Sequence, residues 1–196
     1  MTDYVDGYCE RVAPGLWGEP LNSLSSLAFL VAAVLVWRLA AGDRTGRLLA
    51  GLIGLVFVTS TVFHLLATRW AAVGDSAGVL VFALACVVLF FGRRPAWLAA
   101  PAFLALTVVS AVLGGGLYLS VLIALFAFAV ILAFARDAYW THYAVAGAVF
   151  ALSLSLRAVD RDVCDYVPVG THFLWHLLNG VVLYLVARTT VLNGRP

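Results

Sequence analysis

The sequence predicts an all-α protein: a seven-helix bundle set in a membrane, with its N-terminus outside and its C-terminus cytoplasmic. Three observations carry that expectation. Of the 196 residues, 64% are hydrophobic and 11% charged, with a mean hydropathy of +1.03, whereas a soluble domain is about 45–50% apolar and about 25% charged. The apolar residues gather in seven runs of roughly 17–20 residues, the length that crosses a hydrocarbon core about 30 Å thick. Arginine, the only strongly basic residue type in the chain, is distributed unevenly between the two ends of those runs.

Residues 1–20 are polar, carry glycine and proline, and read as an extracytoplasmic N-terminal segment ahead of a transmembrane domain over 21–192. The segment is acidic (Asp3, Asp6, Glu10) and lacks the basic start of a secretory signal, so the first apolar run reads as a retained membrane helix. That run spans Leu21 to Ala40 and closes at Ala41-Gly42-Asp43-Arg44. The second spans Leu48 to Leu66. The third starts at Gly74-Asp75 and ends before Gly92-Arg93-Arg94-Pro95. The fourth, Trp97 to Leu113, stops at a triple glycine, and the fifth runs from Leu117 to Phe134. The sixth, Tyr139 to Leu156, gives way to a charged loop over 157–165. The seventh begins at Thr171-His172 and continues to Val191.

Arginine placement sets the orientation. Arg38, Arg44, Arg47, Arg93, Arg94, Arg136, Arg188 and Arg195 fall on one side; Arg11, Arg69, Arg157 and Arg161 fall on the other. The richer side is expected to be cytoplasmic. With lysine absent and alanine, glycine and valine abundant, the composition suits the cytoplasmic membrane of a high-GC bacterium.

The same composition excludes several functions. Without lysine, no retinal or pyridoxal Schiff base can form. No basic patch interleaved with aromatics points to nucleic acid. Cys9, Cys86 and Cys164 have no C-x-x-C spacing, which argues against a zinc-thiolate site.

His172 and His176 stand four apart in an apolar run, one helical turn apart on one face, where two imidazoles can reach a single metal ion. Polar groups in a membrane helix are costly and need partners. By the span map His64, Asp75, Glu10 and Glu19 lie at the same outer end. Ser60 precedes His64 by one turn. Three neutral imidazoles with an open fourth position form a catalytic zinc arrangement. In it, Asp75 is placed for general acid–base work and Ser60 for donation to a developing oxyanion. Each residue also has a plainer role available. Ser60 can bond the carbonyl one turn back, Asp75 can cap the third helix, and His64 can be a satisfied core histidine. A bis-histidine haem site and a receptor-like protein with structural zinc stay open beside the enzyme. His142 falls on the cytoplasmic half of the sixth helix, far from the others.

The order and spacing of these residues resemble the alkaline ceramidases, within the seven-helix membrane hydrolases that include the adiponectin receptors. The resemblance runs through Cys9-Glu10, Glu19-Pro20-Leu21-Asn22-x-x-Ser25, Ser60-x-x-x-His64, Asp75 and His172-x-x-x-His176. It implies that His64, His172 and His176 hold zinc, that Ser60 supports the oxyanion, and that Asp75 handles the proton of the attacking water. The implied reaction is hydrolysis of the amide of a ceramide-like lipid. The family also binds calcium through an Asp-Trp-Cys-Glu-Glu-Asn run. Here Glu10 and Glu19 match its carboxylates, while the aspartate is displaced and the asparagine missing. Asp75 is followed by Ser76-Ala77-Gly78 rather than the acidic and Pro-Met residues of the eukaryotic enzymes. Cysteines occur in the family at the places of Cys9 and Cys164. Both fall on the outer side, where a bridge is permitted, so a disulfide tying the N-terminal segment to the loop before the last helix is expected.

Overall fold

The computed structural model describes residues 3–193, so Arg195 lies outside the described residues. Its helices are α1 (Pro20–Ser25), α2 (Leu27–Ala40), α3 (Arg44–Leu66), α4 (Arg69–Phe91), α5 (Arg93–Val112), α6 (Gly116–Phe134), α7 (Trp140–Ala158) and α8 (His172–Asn193). There is no strand among the described residues, only a single antiparallel bridge between Tyr4 and Thr68.

Among the described residues, six stretches are long and apolar enough to cross a membrane: Pro20–Ala40, Arg44–Leu66, Arg69–Phe91, Pro95–Val112, Gly116–Phe134 and His172–Asn193. Helix α7 matches α6 in length, but Thr141, His142, Ser153, Ser155 and Arg157 keep it short of the same apolarity. Large side chains face outward on the bundle wall, as expected where lipid replaces water. Exposed tryptophans mark both ends, Trp17 and Trp70 at one and Trp37, Trp97 and Trp140 at the other, the usual place of interfacial aromatics.

Two helix boundaries differ from the sequence expectation in ways that matter for the site. The first run breaks at Ser26 into α1 and α2. There the Ser26 N–H turns to Leu24 O, while the Ser25 and Ser26 hydroxyls both donate to Asn22 O, at 2.9 and 3.4 Å. Helix α4 begins at Arg69, five residues before the expected Gly74. Ala67, in the left-handed region at φ 50° and ψ 39°, ends α3 and turns the chain straight into α4. Asp75 therefore lies in the second turn of α4, and the capping role is removed.

Helices adjacent in sequence pack side by side from α2 to α8, and α8 closes the circle against α2 while also touching α3 and α4. Gly180 makes the closure possible, since a Cβ there would come within 2.9 Å of Ala28 Cβ. The core runs down the middle, with Leu49, Ile53 and Val56 from α3 meeting Phe82 and Val87 from α4 and Leu183 and Val186 from α8.

The N-terminal segment lies across one end as a strap. Val5 N–H donates to Ala67 O at 2.8 Å and Gly15 N–H to Leu65 O at 2.7 Å, which ties it to the α3–α4 turn. On the other side the expected disulfide joins Cys9 to Cys164, between α7 and α8. Cys86 is buried with a free thiol.

Candidate metal centre

Closing α8 onto α3 brings the start of one helix to the end of the other. His64, His172 and His176 come together there, all at most 2% exposed. One nitrogen from each lies within 4.8 Å of the others, with ring centroids 4.6 to 5.4 Å apart. Among the described residues this is the one such cluster of metal-ligating side chains.

The hydrogen bonds around the rings fix their tautomers. His64 Nδ1 lies 3.0 Å from Glu19 Oε2, and Arg11 Nη2 is more distant, at 3.4 Å. A carboxylate accepts, so His64 carries its proton on Nδ1. His176 Nδ1 lies 3.1 Å from the Asn22 carbonyl and 2.8 Å from Ser25 Oγ, whose own hydroxyl donates to that carbonyl. His176 is therefore also protonated on Nδ1. Both Nε2 atoms are then lone-pair acceptors, and they face each other at 3.2 Å. Two acceptors at that distance repel unless a cation lies between them. The spacing matches the edge of a tetrahedron drawn at the usual zinc–nitrogen distance, about 3.3 Å. His172 leaves Nδ1 buried with no partner among the described residues. The donor set fits a divalent metal bound by imidazole, compatible with zinc without identifying it.

The helix break at Ser26 has its use here. It frees Asn22 O from the α-helical ladder and turns it toward His176. A second shell of this kind orients ligating histidines and raises their basicity.

Glu19 is fully buried. Arg11 Nε donates to its Oε1 at 2.6 Å, Arg11 Nη2 forms an ion pair with the same oxygen, and Asn22 Nδ2 donates to Oε2 at 3.1 Å. Burial lifts the Glu19 carboxyl above its ordinary range, and Arg11 and Asn22 pull it back. The Arg11 guanidinium lies over the rings of Phe63 and Tyr8, at 4.6 and 4.9 Å. Glu10, the other residue matched to a calcium ligand, accepts from the N–H groups of Leu21 (2.7 Å) and Asn22 (2.8 Å) at the start of α1. Every oxygen of both carboxylates thus already accepts a donor from the protein.

Tyr8 stacks on His172 with centroids 3.8 Å apart and covers the cluster from the strap side. Burial pushes its phenol up, so it stays a neutral donor. Asp160, 2% exposed, accepts from Cys9 N–H through Oδ2 (3.1 Å). Through Oδ1 it accepts from the N–H groups of Thr171 (2.6 Å) and His172 (2.9 Å). One carboxylate thereby caps α8 and pins the strap to it.

Ser60, 1% exposed, lies one turn before His64 on α3, its hydroxyl 3.2 Å from Ser26 Oγ. Asp75 is half-buried, and electrostatic interactions link it to Arg157, Tyr118 and Tyr8. Arg157 lies over Tyr118 and Trp175 at 4.6 and 5.6 Å. His142 is on α7 beside Tyr139 and Thr141, outside the cluster.

Arg11, Tyr8, Arg157 and Asp160 carry no role in the sequence reading. Arg11 was legible only as a point on the poorer side of the arginine count. Asp160 was legible only as one charge in a charged loop. The chain matches no protein-family model and no curated protein.

Proposed function

We propose that this chain is a zinc-dependent integral-membrane amidohydrolase that cleaves the amide of ceramide-like N-acyl lipids, releasing a fatty acid and a long-chain amine. The paired Nε2 lone pairs of His64 and His176 carry the reading, because they are organised for a cation and not for each other. Zinc bound by His64, His172 and His176 would supply a Lewis acid and activate water. In this reading Asp75, held in the field of Arg157, takes a proton from the attacking water at its carboxylate and returns it to the leaving amine. The Ser60 hydroxyl donates to the developing oxyanion, and Glu19, Asn22 and Ser25 hold the two imidazoles in their tautomers.

In this reading α7 is a seventh crossing, supported by its packing between α6 and α8. The disulfide supports an outward-facing site, because such bridges persist outside the reducing cytoplasm. The N-terminus is then outside and the C-terminus cytoplasmic, in a bacterial cytoplasmic membrane. Two Nε2 atoms at 3.2 Å leave no room for a macrocycle between them, which speaks against haem. A three-histidine set with an open position favours catalysis over a closed structural site.

The test is to incubate purified, zinc-analysed protein with labelled N-acyl sphingoid lipids, beside Asp75→Ala and His172→Ala. Release of fatty acid by the wild type alone supports the proposal. Equal release by all three proteins, or iron with a Soret band in place of zinc, overturns it.

A further inference from the structure

Below the histidines, the interior of the bundle holds a cavity of about 40 Å³. It is lined by Val79 and Phe82 of α4, Phe103 of α5, Phe128 of α6 and Leu183 and Val186 of α8, among other apolar groups. One lining residue is polar. Asn179 is 2% exposed, and its carboxamide has no hydrogen-bond partner among the described residues. A buried amide donor and acceptor facing apolar walls is a costly arrangement for a fold to keep unless something answers it.

The position of Asn179 says what could answer it. It follows His176 by three residues, so it lies about 4.5 Å further along α8 and close to the same face. Val79 follows Asp75 by one turn on α4. The faces of α4 and α8 that carry the chemistry at the end of the bundle therefore become the cavity walls one turn deeper. From Asn179 to Val186 the cavity follows roughly 10 Å of α8. A lipid whose carbonyl reached the histidines would bring to Asn179 the atoms a few bonds from that carbonyl, with its hydrocarbon beyond.

We propose that Asn179 is a specificity-determining residue that hydrogen-bonds a hydroxyl carried by the lipid within a few bonds of the scissile carbonyl, at the mouth of the apolar cavity that follows α8. This rests on the amidohydrolase reading for the placement of the carbonyl. The hydroxyl can belong to the acyl chain or to the amine chain; a carboxamide serves either, since it both donates and accepts.

Binding tests the proposal without turnover. Purified full-length protein is titrated with dodecanoic acid and with its α-hydroxy and β-hydroxy derivatives. In a second arm it is titrated with a long-chain amine, with and without a hydroxyl on the adjacent carbon. The hydroxylated member of at least one arm is expected to bind about tenfold tighter than its parent, and the arm that responds identifies the chain bearing the hydroxyl. In Asn179→Leu the preference disappears while the parent compound binds at least as well. Equal affinities in both arms for the wild type overturn the proposal, whatever the variant does. So does a preference that survives in Asn179→Leu. A hydroxyl preference found in a protein that hydrolyses no N-acyl lipid would uphold the site and remove the amidohydrolase reading.

Discussion

His64 and His176 present their Nε2 atoms to each other across 3.2 Å while each donates through Nδ1 to an acceptor behind it, Glu19 for one and Asn22 O for the other. On the proposed reading a metal ion lies between the two nitrogens, which would otherwise repel. Purified protein is therefore expected to carry one zinc per chain by elemental analysis. Stripping the metal should lower the midpoint of thermal unfolding, and zinc should restore it. His176→Ala should retain no stoichiometric metal. A wild type whose stability ignores both chelator and zinc would count against the centre.

The support behind His64 is expected to tune affinity rather than create it. Glu19→Gln keeps the shape but removes the anion that fixes the His64 tautomer. Losing an outer-shell partner of this kind costs about 10–100-fold in metal affinity. A zinc competition titration should place Glu19→Gln in that window, above His176→Ala and below wild type. Equal affinity in wild type and Glu19→Gln would show that the contact does not orient the ring.

How much of this was legible in the sequence follows from how far each signal travels along the chain. His64, His172 and His176 stood out because polar residues in apolar runs are rare, and the span map put them at one end. The histidine cluster and the Cys9–Cys164 bridge follow those expectations. Glu19, Asn22 and Ser25, which lie behind the imidazoles, stood out only as part of the motif that carries the resemblance, and their contacts with the imidazoles did not. Asn22 reaches His176 by a backbone carbonyl, which carries no residue signal, and only because the helix breaks at Ser26. Arg11 and Tyr8 act through a strap that carries a short 3-10 turn, Leu16–Gly18, and no long helix, and no periodicity predicts where such a segment lies.

Arg11 supplies a fixed positive charge to Glu19, with both side chains fully buried. Removing one partner of a buried pair leaves an uncompensated charge and costs about 3–5 kcal/mol. Arg11→Ala should therefore lower stability by about that amount in denaturant unfolding, with Arg11→Lys in between because a single ammonium cannot reproduce the fork. The same geometry bears on calcium. With the oxygens of Glu10 and Glu19 already engaged, adding calcium or a calcium-selective chelator should leave wild-type stability unchanged. A calcium-dependent rise in the unfolding midpoint would show that these carboxylates keep lone pairs for the ion.

The bridge between Cys9 and Cys164 holds the strap that carries Tyr8, Glu10 and Arg11. Reducing it, or making the Cys9→Ser and Cys164→Ser pair, should lower stability by about 2–4 kcal/mol. It should also weaken zinc binding, because Arg11 and Glu19 lose their alignment behind His64. If reduction lowered stability while zinc affinity stayed the same, the strap would be holding the bundle end and not the ligands.

Asp160 gathers three backbone donors that no other side chain serves, at Cys9, Thr171 and His172. Two of them open α8, whose first residue is a member of the histidine cluster, and an anion at a helix N-terminus is favoured by the unpaired N–H groups and the helix dipole. Each buried donor left unpaired costs about 1–3 kcal/mol. Asp160→Ala should therefore be among the most damaging single changes outside the histidines. Asp160→Asn keeps one acceptor and should lose less, since its amide oxygen can still receive the two α8 donors while its NH2 now faces Cys9 N–H. The expected order of unfolding midpoints is wild type, Asp160→Asn, Asp160→Ala, with zinc affinity falling in the same order as the first turn of α8 frays around His172. If Asp160→Ala lost stability but bound zinc as wild type does, the start of α8 would be held by packing against α2 and α7, and the carboxylate would serve only the strap.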